Sequence, residues 1–405
     1  MAERPVPYRA VLGAITLVLV AALGGAAGQA PPRAPAIIPA GLGDETFLYG
    51  DRLYLIASGR AEGDETTQNR VVTTYQLPEA RVIARTTIAV TGAVLGLEQI
   101  GDVLVLGYQF NTDGRQGVVA QAVGATTPLW RKTARFVQAA TADGIALLDD
   151  GAGLIAVDVR TGALRWRVPG PAGGLLTPDG GPDGGYPRWL VLGSDSGQLA
   201  TWDARTGRPL ASTTLPTAAG LMWPVGDLVM VDVGNGYDAY RLPGLDRLWH
   251  TATDLSQSSV ETDCGVIICM FRQQRGMTAV DPATGRAVWR SERWGYAEPF
   301  GSYLLAGAGP ETPALSVLDP ATGQVLGDFG DWQSLGPAGG GRLYGKKDAK
   351  GQYRIWYGLL DPATRQVEYL GTAERVSGNC QTAPIADPVL VCRLVDASYA
   401  VWHLR

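Results

Sequence analysis

Asp281-Pro282-Ala283-Thr284-Gly285 recurs letter for letter as Asp319-Pro320-Ala321-Thr322-Gly323. Variants stand at Asp158-Val-Arg-Thr-Gly162, Asp203-Ala-Arg-Thr-Gly207 and Asp361-Pro-Ala-Thr-Arg365, so the phrase returns about every forty residues. An alternating apolar run precedes each copy, for example Leu154–Val157, Leu199–Trp202, Met277–Val280 and Leu315–Leu318. A second short run follows, with Trp166 eight residues after Asp158 and Trp289 eight after Asp281. The chemistry is that of a hairpin. Asp bonds its own backbone in the turn, Pro presets φ, and Gly supplies the left-handed residue before the chain returns. Arg365 stands where Gly belongs, so that copy is expected to be strained or to turn differently.

Degenerate copies fill the gaps. Gln76, Gln121 and Arg241 occupy the Asp position, and Trp130 and Trp249 occupy the Trp position. Upstream of most hairpins a Gly-X step leads into another strand, as at Gly50-Asp51, Gly101-Asp102, Gly226-Asp227 and Gly301-Ser302. The sum is about four short strands per unit, with eight outer hairpins. Such units cannot bury their apolar faces alone, and closing them into a ring protects the sheet edges. The expected fold is an all-β propeller over 44–405 with about eight four-stranded blades, seven or nine being the alternatives. Gly378–Arg405 supplies strands without an outer partner, which an N-terminal segment such as Ala36–Pro39 would provide.

The Asp-X-X-Thr-Gly-X-X-X-Trp pattern resembles the repeat of the pyrroloquinoline-quinone-type (quinoprotein-like) β-propellers, over nearly everything from about residue 44 onward. The resemblance implies that Trp130, Trp166, Trp249 and Trp289 pack between adjacent blades. It marks fold more than activity, because that family holds quinone-dependent dehydrogenases, an outer-membrane assembly lipoprotein and many envelope proteins. Its dehydrogenases use a vicinal disulfide, a calcium-binding set and a catalytic carboxylate. Here no two cysteines are adjacent and no matching calcium set can be placed, so no cofactor is expected and the quinone is disfavoured.

The leader carries a second message. Residues 1–9 include Arg4 and Arg9, and no charge follows from Ala10 to Ala27. About eighteen residues at 1.5 Å each just span a bilayer core. The basic flank orients the N-terminus toward the cytoplasm. Residues 10–28 are therefore read as a transmembrane signal-anchor, with a cleaved signal peptide and secretion as the alternative. Residues 29–43, with Pro31, Pro32, Pro35 and Pro39, form a stiff spacer. The propeller is placed outside the membrane.

The four cysteines agree with export. Local bridges Cys264–Cys269 and Cys380–Cys392 are predicted, with Cys264 to Cys380 or Cys392, and free thiols, left open. Zinc has no Cys-X-X-Cys spacing to use, and the histidines are His250 and His403. Asp149-Asp150 and Asp254, Glu261 and Asp263 are read as turn residues before cation ligands. No nucleophile elbow, phosphate loop or metalloprotease helix is present. A net charge of −5 leaves no basic footprint for nucleic acid. The expected function is a monomeric, non-catalytic scaffold binding an envelope protein or glycan through rim loops, Ser58–Asn69, Thr177–Arg188 and Lys346–Gln352. The alternative is a quinone- or metal-dependent oxidoreductase.

Overall fold

The computed structural model describes residues 34–59, 67–110, 114–140, 142–170, 175–179, 185–218, 221–252, 258–272, 276–309 and 314–404. The expected transmembrane segment lies outside these residues. Among the described residues no helix is long and apolar enough to cross a membrane. The unit Ala36–Arg405 is built from nine antiparallel four-stranded sheets. The first blade shows the plan, with strands β2 (Glu45–Tyr49), β3 (Arg52–Ile56), β4 (Gln68–Gln76) and β5 (Arg81–Val90) paired in chain order.

Nine blades replace the expected eight, and the reason is in the closure. Each of the first eight blades makes its outer hairpin from consecutive strands, which is what the repeat count registers. The ninth takes β34 (Val376–Ala383), β35 (Val389–Leu394) and β36 (Tyr399–His403) from the C-terminus, and its outer strand is β1 (Ala36–Ile38). The register pairs Ala36 with Val401 and Ile38 with Tyr399. A blade assembled from both ends of the chain carries no outer turn and so leaves no repeat phrase to count.

Alternation in the strands fills the space between blades. One apolar cluster spans each of the nine interfaces, from Tyr54, Ile88, Leu104 and Val119 between the first two blades round to Ile38, Leu55, Val391 and Val401 between the ninth and the first. Leu104, Leu106, Leu147, Leu148 and Leu190 are fully buried, each stabilising the ring by about 2 kcal/mol of transfer free energy.

The repeat turns follow one pattern. Asp158 Oδ1 accepts the backbone N–H of Arg160 and Thr161 at 3.0 and 2.9 Å, and the Thr161 hydroxyl at 3.0 Å. The Gly162 N–H then donates to the Asp158 carbonyl at 2.8 Å. The Arg165 guanidinium, with these donors, holds the Asp158 carboxyl down at about 2. Gly162, Gly207, Gly285 and Gly323 all sit at φ between 67° and 71°. They are needed twice over, because the next blade's turn is where an indole lands. A Cβ on Gly285 would come within 2.4 Å of Trp249, and one on Gly207 within 2.7 Å of Trp166. Each indole also donates across the interface: Trp130 to Val159 O at 2.7 Å, Trp166 to Arg205 O at 2.8 Å, Trp249 to Pro282 O at 2.8 Å and Trp289 to Pro320 O at 2.9 Å.

Two interfaces invert this packing. Gly327 occupies the Trp position of the seventh blade, and Arg365 occupies the Gly position of the eighth. Arg365 keeps the same turn at φ 60°, its N–H donating to Asp361 O at 2.7 Å. Its side chain covers Gly327, where an added Cβ would meet Arg365 Cγ at 2.6 Å. Between the fourth and fifth blades Ala211 stands for Trp and Leu245, at φ 62°, stands for Gly, both in one apolar cluster. Large and small have changed sides, and the gap stays filled.

The cysteines form two bridges, Cys264–Cys269 across a short turn and Cys380–Cys392 between directly opposed residues of β34 and β35.

Trp249 is 8 % exposed, whereas Trp166 is only half-buried. Trp249→Ala should therefore cost about 3–5 kcal/mol in denaturant unfolding, and Trp166→Ala roughly half as much. Equal losses would show that indole burial is not what the interfaces draw on. Gly327→Trp alone should destabilise by about 1–3 kcal/mol through overpacking. Adding Arg365→Gly should recover most of that loss; additive effects of the two changes would refute the exchange of roles.

Candidate functional site

In each of the first eight blades the turn leaving the innermost strand and the turn of the repeat phrase lie on one face of the ring, because the four strands meander. The remaining loops lie on the other face. Thr177–Arg188 therefore belongs to the repeat-turn face, while Ser58–Asn69 and Lys346–Gln352 belong to the opposite one. Residues 60–66 and 180–184 of these segments lie outside the described residues. Lys346 is not part of an exposed turn: it lies within the strand Arg342–Asp348, its side chain 12 % exposed, and donates to Gly378 O at 3.2 Å.

The other acidic candidates serve local turns. Asp149 pairs with Arg135 at 3.0 Å and caps Gly151 N–H at 2.9 Å. Asp150 pairs with Arg167 and accepts Ala152 N–H at 3.1 Å. Asp263 accepts Gly265 N–H at 2.9 Å, while Asp254 and the Glu261 side chain lie outside the described residues. Among the described residues no group of three or more His, Cys, Asp and Glu side chains converges to hold a metal. Both bridges join cysteines that are not neighbours in sequence. The described residues therefore supply neither the vicinal disulfide nor the calcium set that the resemblance to quinone-dependent dehydrogenases would call for.

Two recesses open near the inner strands. One, of about 660 Å³, lies toward the opposite face and is walled by Asp44, Glu45, Lys346, Arg393, Tyr399 and the half-buried Cys380. Its charged groups are already engaged in ion pairs or backbone hydrogen bonds. Glu45 holds Arg70 at 3.2 Å, Asp44 accepts the N–H of Gly41 and Ser58 at 2.7 Å each, and Arg393 donates to Gly41 O at 3.0 Å.

The other recess, of about 760 Å³, opens on the repeat-turn face among the first four blades. Its walls come from three inner strands: Tyr49 at the end of β2, Glu98 and Gln99 near the end of β6 (Ala93–Ile100), and Gln138 to Ala140 at the end of β10 (Arg135–Ala140). Tyr186 and Arg205 of the fourth blade complete it. Most of these groups are fixed. Tyr54 Oη donates to Gln99 Oε1 at 2.7 Å, Gln99 Nε2 donates to Gly101 O at 2.7 Å, and Tyr186 Oη donates to Ala204 O at 2.8 Å. Arg205 pairs with Asp143, Arg160 with Asp102, and Arg52 lies 3.8 Å from Asp51.

Glu98 is the exception. It is half-buried, has no cation within ion-pair reach among the described residues, and carries only the Ala139 N–H against its desolvation. Burial lifts its carboxyl from 4.5 to about 7. Burial, with Glu98 adding to it, also raises the neighbouring Tyr49 phenol. Sequence reasoning passed over this residue because it looks like any polar member of an alternating strand. The one available signal was an acid three residues ahead of a Gly-Asp turn, on a strand that closure makes innermost.

Indole-docked turns and four-stranded wedges make this a β-propeller, and its repeat is similar to the pyrroloquinoline-quinone type over part of the chain. Residues 150–296 match the family model described as outer membrane protein assembly factor BamB. No curated protein matches the chain. Among solved structures, BamB from Moraxella catarrhalis is 13% identical, over 89% of this chain and 96% of that one, with a TM-score of 0.44. The computationally designed Ika8 protein is 12% identical, over 92% and 98%, at 0.44. The dihydro-heme d1 dehydrogenase NirN is 11% identical, over 88% and 85%, at 0.46.

Between pH 4.5 and 7 the folded state keeps a proton on Glu98 that the unfolded chain has lost. Stability therefore falls as pH rises through that window and is level above it. Glu98→Gln should flatten this slope and stabilise the protein at pH 8 by about 1 kcal/mol, a figure discounted for partial solvent screening. An unchanged pH profile would mean that Glu98 titrates as an ordinary surface acid.

Proposed function

We propose that this propeller is held on the extracytoplasmic side of a membrane and acts as a non-catalytic scaffold, binding a protein or glycan of the cell envelope. The observation that carries the reading is the Glu98 recess. It is preformed on the turns of four rigid blades, and it keeps one acid at a cost to the fold. Ligand sites are typically concave and largely preformed, with few polar groups placed to orient the ligand. The described lining offers aromatic, amide and carboxylate groups of the kind that orient a bound ligand. Two disulfides favour an oxidising compartment. The uncharged stretch before the Pro-rich spacer supports attachment through the N-terminus. The family model adds weight to an envelope role, over the residues it matches.

The test is site-directed photo-crosslinking of the full chain in intact cells of its source. A crosslinker at Tyr49, on the recess, should give a discrete envelope adduct, and one at Gln352, on the opposite face, should not. Adducts from Gln352 alone, or none at either position, would overturn the reading. Fractionation should leave the chain with membranes and accessible to protease from outside. Added quinone and calcium should produce neither a spectral shift nor dye reduction; either signal would favour the oxidoreductase instead.

A further inference from the structure

We propose that the recess around Glu98 takes an organic cation, an ammonium or guanidinium group, as the anchoring element of its ligand. This deepens the scaffold reading and rests on it only where the cation is presented by a macromolecule.

Charge bookkeeping around the recess gives the sign. Arg205 is matched by Asp143, Arg160 by Asp102, and Arg52 by Asp51. Asp203 is consumed by its own turn, accepting the Arg205 and Thr206 N–H at 3.0 and 2.8 Å. Among the described residues of the recess Glu98 alone has neither a cation nor a turn to hold it, and its ionised form adds negative charge there. That disfavours carboxylates and phosphates. A neutral sugar would leave the charge desolvated and unpaired, which costs more than pairing it.

The aromatic groups point the same way. Tyr49 is 45% exposed, its ring 6.4 Å from that of Tyr54, and Tyr186 stands across the recess. Phenol faces beside a carboxylate suit a cation whose apolar stem packs on the rings. The Gln138 side chain lines the same wall and adds a polar group able to orient the cation. The volume, about 760 Å³, admits a lysine or arginine side chain with its flanking backbone, or a free polyamine.

Binding a cation requires Glu98 ionised. Affinity should therefore rise with pH through about 7 and level off above, and bound cation should draw the carboxyl's midpoint downward. The titratable and polar groups that share the recess with Glu98 are Tyr49, Asp51, Arg52 and Tyr54 from the first blade, Gln99 beside it, Gln138 from the third, and Tyr186 and Arg205 from the fourth.

The test uses the full chain and three probes: a blocked Gly-Lys-Gly peptide, the same peptide with norleucine for lysine, and spermidine. Calorimetry at pH 6 and pH 8 should show the lysine peptide binding up to about tenfold more tightly at the higher pH, with the norleucine peptide silent. Glu98→Gln should weaken binding at least tenfold and abolish its pH dependence. Asp195→Asn, on the opposite face, should change nothing and controls for general attraction to an acidic protein. Carbon-13 NMR of the wild-type Glu98 carboxyl, with and without probe, should show its midpoint falling, a readout that does not depend on any variant folding. Spermidine binding without peptide binding assigns the cation to a free amine; the reverse assigns it to a protein side chain. Equal binding of both peptides, binding unaffected by Glu98→Gln, or an unmoved midpoint overturns the inference. An envelope adduct at Tyr49 that persists undiminished in Glu98→Gln would sink the cation and leave the scaffold standing. Lysine binding without any adduct would do the opposite.

Discussion

An indole seated on the neighbouring blade's turn is the contact that orients one wedge on the next at four of the nine interfaces. Four short strands have no core of their own, so each wedge must be oriented by the next. Apolar burial between sheets supplies most of the energy but little direction, being non-directional. The indole supplies the direction. Its N–H bonds a turn carbonyl at 2.7–2.9 Å, and its ring occupies space that only glycine at positive φ leaves open. Asp, Thr and Gly of the repeat phrase are thus one device: Asp and Thr hold the turn, and Gly receives the neighbour.

Architecture was largely legible before any coordinates. Asp158, Asp203, Asp281, Asp319 and Asp361 mark turns because an aspartate capping its own backbone has few alternatives in this spacing. The count of blades was not legible. A turn phrase reports a hairpin made of consecutive strands, and β1 with β36 is a hairpin without a turn. The same logic explains the exceptions at Arg365 and Leu245. Each departs from its own repeat and makes sense only beside Gly327 and Ala211, residues from another copy.

The candidate site was much less visible. Loop length drew attention to Ser58–Asn69, Thr177–Arg188 and Lys346–Gln352, two of which face away from the third. Glu98 belongs to a regular strand, and it shares its recess with Tyr49, Gln138 and Tyr186, which lie in three other blades. Burial, against a single N–H from Ala139 of the next blade, is what raises its carboxyl. No window of sequence shows that burial.

The exchange of large and small residues at two seams also bears on how such rings can grow. Tandem copying of the sixth blade would set Trp289 against another Gly285, a fit the molecule already uses. Copying the seventh would leave Gly327 facing Gly323, with neither side chain to occupy the gap, and copying the eighth would crowd Tyr369 against Arg365. Interchangeability therefore resides in the seams rather than in the wedges, and a lineage that once swaps partners across a seam has closed that point to later duplication.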